Sequence, residues 1–437
     1  MSGMKNIVHL ESPRGWINDP NGFVWYKGEY HLFYQHFPYA PLWGRMHWGH
    51  AVSKDLFHWE HKDIALYPSK IEDRSGCFSG SAVEHEGKLY LFYTGINYAE
   101  ENPENINLCL NGNFTAAQLM ITSEDSVHFD NIKNKRTVIP PLTDESIGSP
   151  NDTRDPKVWR GKDAWYMVLG STVNKKGRVL LYKSNDLLNW VYMNFVEKDG
   201  WGRIWECPDY FEVGGKGVLV FSPIGVVLDG KKYDDLAVCS FAEFSEKDCS
   251  MQLADKYTLL DYGQDLYAPQ STTDAEGRRV LVAWARMPEH MDGERIGMFC
   301  IPRVVEVKNN HIYFRPHPNV AGHFTKKIAS LSNGGEGGCK ICLDLQNNEM
   351  INVGGYKIER KANRIYTDRT AVFAGHNDIK CRFETPEIRE GGRLDIYVSK
   401  NLIEIYINNG EYVLSNVVYG LANKITAESY ELYAVAE

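Results

Sequence analysis

The stretch Gly22-Phe23-Val24-Trp25-Tyr26-Lys27-Gly28-Glu29-Tyr30-His31-Leu32-Phe33-Tyr34 returns as Gly80-Ser81-Ala82-Val83-Glu84-His85-Glu86-Gly87-Lys88-Leu89-Tyr90-Leu91-Phe92-Tyr93. Weaker copies run from Asp155-Pro156-Lys157-Val158-Trp159 into Trp165-Tyr166-Met167-Val168, from Pro208-Asp209-Tyr210-Phe211 into Val218-Leu219-Val220-Phe221, and from Tyr267-Ala268-Pro269-Gln270 into Leu281-Val282-Ala283-Trp284. A second signature trails three of these five units, at Ser53-Lys54-Asp55-Leu56-Phe57-His58-Trp59, Ser123-Glu124-Asp125-Ser126-Val127-His128-Phe129 and Ser184-Asn185-Asp186-Leu187-Leu188-Asn189-Trp190. Its starts are 70 and 61 residues apart. Self-similarity at tens of residues marks a repeat architecture, in which each unit buries its apolar face against the next. The units are built from short aromatic and β-branched runs such as Tyr30-His31-Leu32-Phe33-Tyr34, bounded by Gly, Asp, Asn and Pro, and those are strand signals.

Several short strands per unit suit the four-stranded blades of a β-propeller, and five blades fill the chain to about residue 310. Two stacked β-sandwiches are the rival arrangement. Phe314-Arg315-Pro316-His317-Pro318 reads as a linker. Beyond it the chain alternates through Arg393-Leu394-Asp395-Ile396-Tyr397-Val398 and Leu402-Ile403-Glu404-Ile405-Tyr406-Ile407, then turns at Asn408-Asn409-Gly410, a hairpin signal. The expected organisation is all-β: a five-bladed propeller over residues 1–315, then a β-sandwich over 325–437.

Composition narrows the partners. With 48 Lys and Arg against 57 Asp and Glu the net charge is −9, and no block of like charges interrupts the chain. That argues against nucleic acid or an anionic membrane surface and for a small or neutral ligand. The opening residues lack the apolar run of a secretory signal, so a cytoplasmic location is expected. The nine Cys residues are scattered and read as reduced thiols, the Cys339/Cys342 pair included. His47, His50, His58 and His61 read as packing and hydrogen-bonding groups rather than as a metal centre.

Three units carry an acid near the start of their first strand. Asp19 lies 14 residues before Phe33, Asp155 lies 13 before Val168, and Glu206 lies 14 before Val220. Equivalent places on different blades converge on the central channel, so the three acids are expected to meet there. Crowded carboxyl groups resist full ionisation, which lets one serve as a proton donor while another stays a nucleophile. Trp16-Ile17-Asn18-Asp19-Pro20-Asn21-Gly22 and Trp205-Glu206-Cys207-Pro208-Asp209 set aromatic rings beside their acids, and Thr153-Arg154-Asp155-Pro156 adds a fork of donors. Apolar ring faces with acids, amides and donors are what a sugar calls for.

At these residues the chain resembles glycoside hydrolase family 32, the β-fructofuranosidases that include invertases and sucrose-6-phosphate hydrolases. The elements WINDPNG, FYQ, WG, FSGS, RDP and ECPD stand in the family's order and span nearly the whole chain. The resemblance implies a retaining, exo-acting hydrolase that releases terminal β-D-fructofuranosyl units, without metal or cofactor. It implies Asp19 as nucleophile, Glu206 as general acid/base and Asp155 as transition-state stabiliser. It further implies that Asn18, Gln35, Trp43, Phe78, Ser79 and Arg154 hold the terminal fructosyl unit, joined by Asp265 and Trp284.

A fructosyltransferase using the same acids and a non-catalytic carbohydrate-binding propeller are the alternative functions. Two departures from the family pattern bear on specificity. The polar segment from Asn97 to Gln118 is long, placed to rim the pocket or to mediate contact in a homo-oligomer. Arg45 follows Trp43-Gly44, and reads either as a contact for an anionic group on the leaving sugar or as a solvated surface arginine.

Overall fold

The computed structural model describes residues 8–436 except 229, 332–337, 377 and 390. The chain is all-β: among the described residues its single α-helix is the four-residue Pro318–Ala321. No described helix is long and apolar enough to cross a membrane.

Five sheets, antiparallel but for one short parallel pair, follow one another along the chain, and each opens with a strand that begins one sequence unit. These are β1 (Gly15–Tyr26), β2 (Gly76–His85), β3 (Arg154–Arg160), β4 (Ile204–Val213) and β5 (Leu266–Thr273). Each pairs with the next strand in sequence, which pairs in turn with a third, so the main strands of each sheet form a meander; the first sheet gains Arg295–Ile296 from the fifth unit, which pairs with Gly15 and Trp16 on the other side of β1. The last main strand of the fifth sheet is His311–Pro316. The expected linker therefore starts too early: Phe314, Arg315 and Pro316 belong to this outer strand, where Pro316 sits at the strand end and no ladder donor is lost.

The opening strands are neighbours in order, β1 to β5, and β5 lies against β1. Apolar layers fill the spaces between sheets. Phe33 and Trp48 meet Leu91 and Tyr93; Phe92 and Met120 meet Met167 and Leu180; Val168 and Leu181 meet Trp205 and Phe221. A further cluster joins Val218 and Val220 to Val280 and Val282 and on to Phe23 and Leu32 of the first sheet. The contacts that link the opening strands to one another include buried polar groups. Gln270 bridges three opening strands, accepting from Phe23 N at 2.8 Å and donating to the carbonyls of Pro20 and Gly80. Lys157 Nζ donates to Asp209 at 2.7 Å and to the Ser271 carbonyl at 2.6 Å. These buried polar groups are satisfied across sheets, which fixes the rotation of each sheet against the next.

The trailing signature is one turn repeated. Ser53, Ser123 and Ser184 accept through Oγ from Leu56, Ser126 and Leu187, the residues that take the left-handed conformation. Asp55, Asp125 and Asp186 cap the next two amides.

The remaining chain forms a six-stranded sheet, with Leu402–Ile407 near one edge, and a five-stranded sheet centred on Tyr356–Lys361. Ile341, Ile396 and Ile405 of one meet Ile351 and Ile358 of the other in a separate core. This unit is fastened to the fifth sheet by buried charge. Arg303 donates to Glu404 at 2.8 Å and to Ser415 at 2.7 Å and pairs with Asp261 at 2.9 Å, while His9 reaches Glu404 at 2.9 Å.

Candidate active site

The same irregularity occurs in all five opening strands. Between Ile17 and Pro20, Cys77 and Gly80, Arg154 and Lys157, Glu206 and Asp209, and Tyr267 and Gln270, one residue more stands on the opening strand than on its partner. Such a β-bulge re-aims side chains and ends regular pairing locally. In β3, β4 and β5 the first bulged residue, Asp155, Cys207 or Ala268, is left-handed, with φ of 66, 48 and 51°. Each precedes a proline, whose missing N–H leaves no unpaired donor in the bulge. Such φ values cost a non-glycine residue on the order of 1–3 kcal/mol and persist only where the surroundings hold them. Here Asp155 N donates to Thr94 Oγ1 at 2.9 Å and Ala268 N to Ser222 Oγ at 2.9 Å.

The ladder corrects one sequence expectation. The acids do not occupy one equivalent position but three successive ones: Glu206 is the last paired residue before its bulge, Asp155 the first residue within its own, and Asp19 the second. Counting to the following strand shows the offset of Asp155 from Glu206, since Lys157 to Val168 and Asp209 to Val220 span the same length, but conceals that of Asp19, because the hairpin from Pro20 to Tyr34 is longer.

The acids nevertheless come together. Asp19 accepts from Ser79 Oγ at 2.6 Å and from Asn18 Nδ2 at 3.0 Å. Asp155 accepts from the Cys207 amide at 2.9 Å. The Cys207 thiol stands between the two, 3.4 Å from Asp19 Oδ2 and 3.6 Å from Asp155 Oδ2. Glu206 takes Arg154 on one oxygen, at 2.7 Å from Nη2 and 3.2 Å from Nε, and the Tyr267 hydroxyl on the other. Arg154 also reaches Asp152 at 2.8 Å, so one guanidinium faces several carboxylates.

Burial raises Asp19 above the usual carboxylate range against the hydrogen bonds from Ser79 and Asn18, and the nearby Glu206 adds to the rise. Asp155, only 6% exposed, is pushed up to about 7 by burial, against Arg154, with Glu206 and Asp19 adding. A carboxyl whose pKa is higher folded than unfolded destabilises the fold as pH climbs through that interval, because the folded chain must ionise it where the unfolded chain does so freely. Asp155→Asn is therefore expected to raise Tm at about pH 8, with the gain fading towards about pH 4, where the native carboxyl is protonated. Calorimetry across that range checks the slope.

The other expected residues are placed as follows. Asn18 accepts from Trp16 Nε1 at 2.7 Å. Gln35, fully inside, holds the second bulge by donating to the Cys77 carbonyl at 3.0 Å, and Trp48 donates to the Phe78 carbonyl at 3.0 Å. Trp43 meets Phe78 edge to face with centroids 6.1 Å apart. Trp284 contacts Trp16 and Tyr267, and its indole N–H is buried without a partner among the described residues. Asp265 does not join the acids. Both its oxygens face Arg369 and one takes the Val417 amide at 2.8 Å, so it serves the contact with the C-terminal unit, beside a cavity of about 520 Å³ that Trp16 and Trp284 also line.

Cys207 and Tyr267 were missed as site residues. Tyr267 was legible, since the fifth unit, Tyr267-Ala268-Pro269-Gln270, aligns with Glu206-Cys207-Pro208-Asp209 and sets Tyr267 opposite Glu206. Arg45 and the long segment, read separately, form one feature. The ends of the segment belong to the paired strands Lys88–Tyr98 and Phe114–Ser123 of the second sheet; its middle folds into a ribbon of Glu101–Asn102 with Asn105–Cys109, and Arg45 ties it down through Glu101 at 2.5 Å and the Ile106 carbonyl at 3.1 Å.

The family model for the glycosyl hydrolases family 32 N-terminal domain matches residues 9–316, and that for the family 32 C terminal matches 323–436. The chain belongs to glycosyl hydrolase family 32. Among family 32 proteins it is 33% identical to a sucrose-6-phosphate hydrolase of Zymomonas mobilis, over 95% of this chain and 86% of that protein. It is 32% identical to a raffinose invertase of Escherichia coli, over 98% and 91%. The family 32 β-fructofuranosidase of Bombyx mori, solved alone and, as a mutant, with sucrose, superposes with a TM-score of 0.84 for the former at 28% identity, covering 99% of this chain and 94% of that one.

Proposed function

We propose that this protein is a retaining, exo-acting β-fructofuranosidase that hydrolyses terminal β-D-fructofuranosyl units from sucrose, sucrose 6-phosphate or short fructo-oligosaccharides. The observation that carries the reading is the gathering of Asp19, Asp155 and Glu206 around Cys207, in a family 32 chain whose relatives are named sucrose-6-phosphate hydrolase and invertase. The Bombyx structure with sucrose supports the substrate class.

In this reading Asp19 attacks the anomeric carbon of the fructosyl unit while Glu206 gives its proton to the departing oxygen. The resulting ester on Asp19 is then opened by water, from which Glu206 recovers a proton. Ser79 and Asn18 aim the Asp19 carboxylate. Tyr267 suits both protonation states of Glu206, since a phenol donates to a carboxylate and accepts from a carboxylic acid. Asp155 binds ring hydroxyls more tightly as oxocarbenium charge develops, which is differential binding of the transition state. Asn18, Gln35, Trp43, Phe78, Ser79 and Arg154 shape the fructosyl pocket, and the N–H of Trp284, without a partner among the described residues, is left for a sugar hydroxyl.

We read the five N-terminal sheets as blades of a five-bladed propeller, residues 1–315, and the two C-terminal sheets as a β-sandwich, residues 325–437. The ring of neighbouring opening strands and the family matches at 9–316 and 323–436 support this division. Nine unpaired cysteines suit a reducing, cytoplasmic setting.

The test is fructose release from sucrose, sucrose 6-phosphate and a short inulin-type oligosaccharide, compared by kcat/KM. A lead of about tenfold, ~1.4 kcal/mol of differential transition-state binding, identifies the preferred leaving group. Release from none of them overturns the reading. Arg45→Ala is expected to leave the ratio of sucrose 6-phosphate to sucrose unchanged within about twofold, because its guanidinium is engaged by Glu101 and the Ile106 carbonyl. A collapse of that ratio in the variant would restore Arg45 as a phosphate contact.

A further inference from the structure

We propose that Asp55, His58 and His323 form a binding site for a borderline divalent cation such as Zn²⁺, joining the outer turn of the first sheet to the segment that leads into the C-terminal unit. One ligand atom from each lies within 4.8 Å of the others, and no other such trio of His, Cys, Asp or Glu occurs among the described residues.

The turn supplies two of the three groups. Asp55 Oδ1 is occupied by the amides of Phe57 and His58, at 2.9 and 2.8 Å, which aims Oδ2 outward. His58 Nδ1 lies 2.7 Å from Oδ2 and His323 Nε2 lies 3.9 Å from it.

The second and third sheets provide an internal comparison. Asp125 and His128 repeat the pairing at 2.6 Å, and Asp186 and Asn189 repeat it at 2.7 Å. The Asp–His contact by itself is thus a property of the turn. Among the described residues only the first turn meets a second imidazole, and that imidazole is held in place: His323 stacks on Phe57 with centroids 4.0 Å apart and an interplanar angle of 17°. Its backbone is fixed too, through Val320 at 3.2 Å and Ala436 at 2.8 Å.

Zinc bonds of about 2.0–2.2 Å place tetrahedral ligand atoms roughly 3.3–3.6 Å apart. The 2.7 Å contact must open and the 3.9 Å one close, each by under about 1 Å. The His58 side chain, 66% exposed, is free to make that adjustment. Two imidazoles and one carboxylate favour Zn²⁺, Co²⁺, Ni²⁺ or Cu²⁺ over the oxygen-seeking Mg²⁺ and Ca²⁺, and water completes the shell on the open side. Such an ion clamps the two units and takes no part in the chemistry at Asp19.

Zinc chloride titrated by calorimetry into metal-stripped, tag-free, full-length protein tests the site. One saturable site per chain is expected, with a Zn²⁺-dependent rise in Tm. His323→Ala and, separately, the exposed His58→Ala should each weaken binding at least tenfold, while His128→Ala, in the matching turn of the second sheet, should not. Fructose release from sucrose without added metal should be the same in all four proteins. Absence of saturable binding, or binding that survives both His323→Ala and His58→Ala, overturns the proposal.

Discussion

Asp19→Asn is expected to lower kcat/KM for sucrose by at least about 10³-fold, the scale seen when a group acting only in the transition state is lost, while leaving the fold intact. The amide is the same size as the carboxylate, its oxygen still accepts from Ser79 Oγ, and a buried charge is removed rather than added. The companion variant, Glu206→Gln, should fail at a different step. With sucrose it should lose about 10²–10⁴-fold, the usual share of general acid–base catalysis. With a fructoside of an acidic phenol, departure needs no proton, so the first step survives and the second stalls. A burst of phenol equal to the enzyme present is then expected from Glu206→Gln and not from Asp19→Asn. Near-normal turnover in either variant, or a burst from the wrong one, would dispose of the proposed roles.

Arg303→Met should have the largest effect on stability. Arg303 is entirely inside, between Asp261 and Glu404, with Ser415 and Tyr406 as further partners. Against burial, His9 and Arg303 hold Glu404 at about 2, so removing the guanidinium strands carboxylates in the interior. Breaking such a pair from one side costs about 3–5 kcal/mol. A marked fall in Tm is expected in calorimetry, together with early exposure of the C-terminal unit to protease. Pairing the change with Glu404→Gln should recover part of the loss, since the burden is the uncompensated charge. Equal Tm values for Arg303→Met and the native chain would mean that the apolar surfaces alone hold the units together.

Much of this was legible in the residues. Five units, their strand starts and the outer turn at Ser53, Ser123 and Ser184 could be read because turn chemistry is local and repeats leave a visible trace. The acids were legible as a group because each sits beside a proline or an aromatic residue that marks the start of a unit. Their true offsets were not, because where an acid stands relative to its bulge shows only against the register of the partner strand. Asp265 shows the same limit from the other side. Its neighbours in sequence belong to the fifth opening strand, but its partner, Arg369, lies 104 residues away, and no periodicity reports a long-range ion pair. The pairing of Arg45 with Glu101 is hidden for the same reason, although Arg45 and the segment that holds Glu101 each stand out in the sequence.

The five bulges have a consequence for how such a protein can change. The extra residue belongs to the opening strand alone, so the partner strand keeps its register and the sheet behind it is indifferent to what the bulge displays. Point substitutions at these five places alter the floor of the pocket without moving a ladder, which leaves substrate preference open to drift. A one-residue deletion within the same short stretch turns the acids to the opposite face. For the fold, though not for turnover, tolerance to replacement and intolerance to shortening should therefore coincide at the same residues, a pattern that a library of both kinds of change, scored by Tm, would display directly.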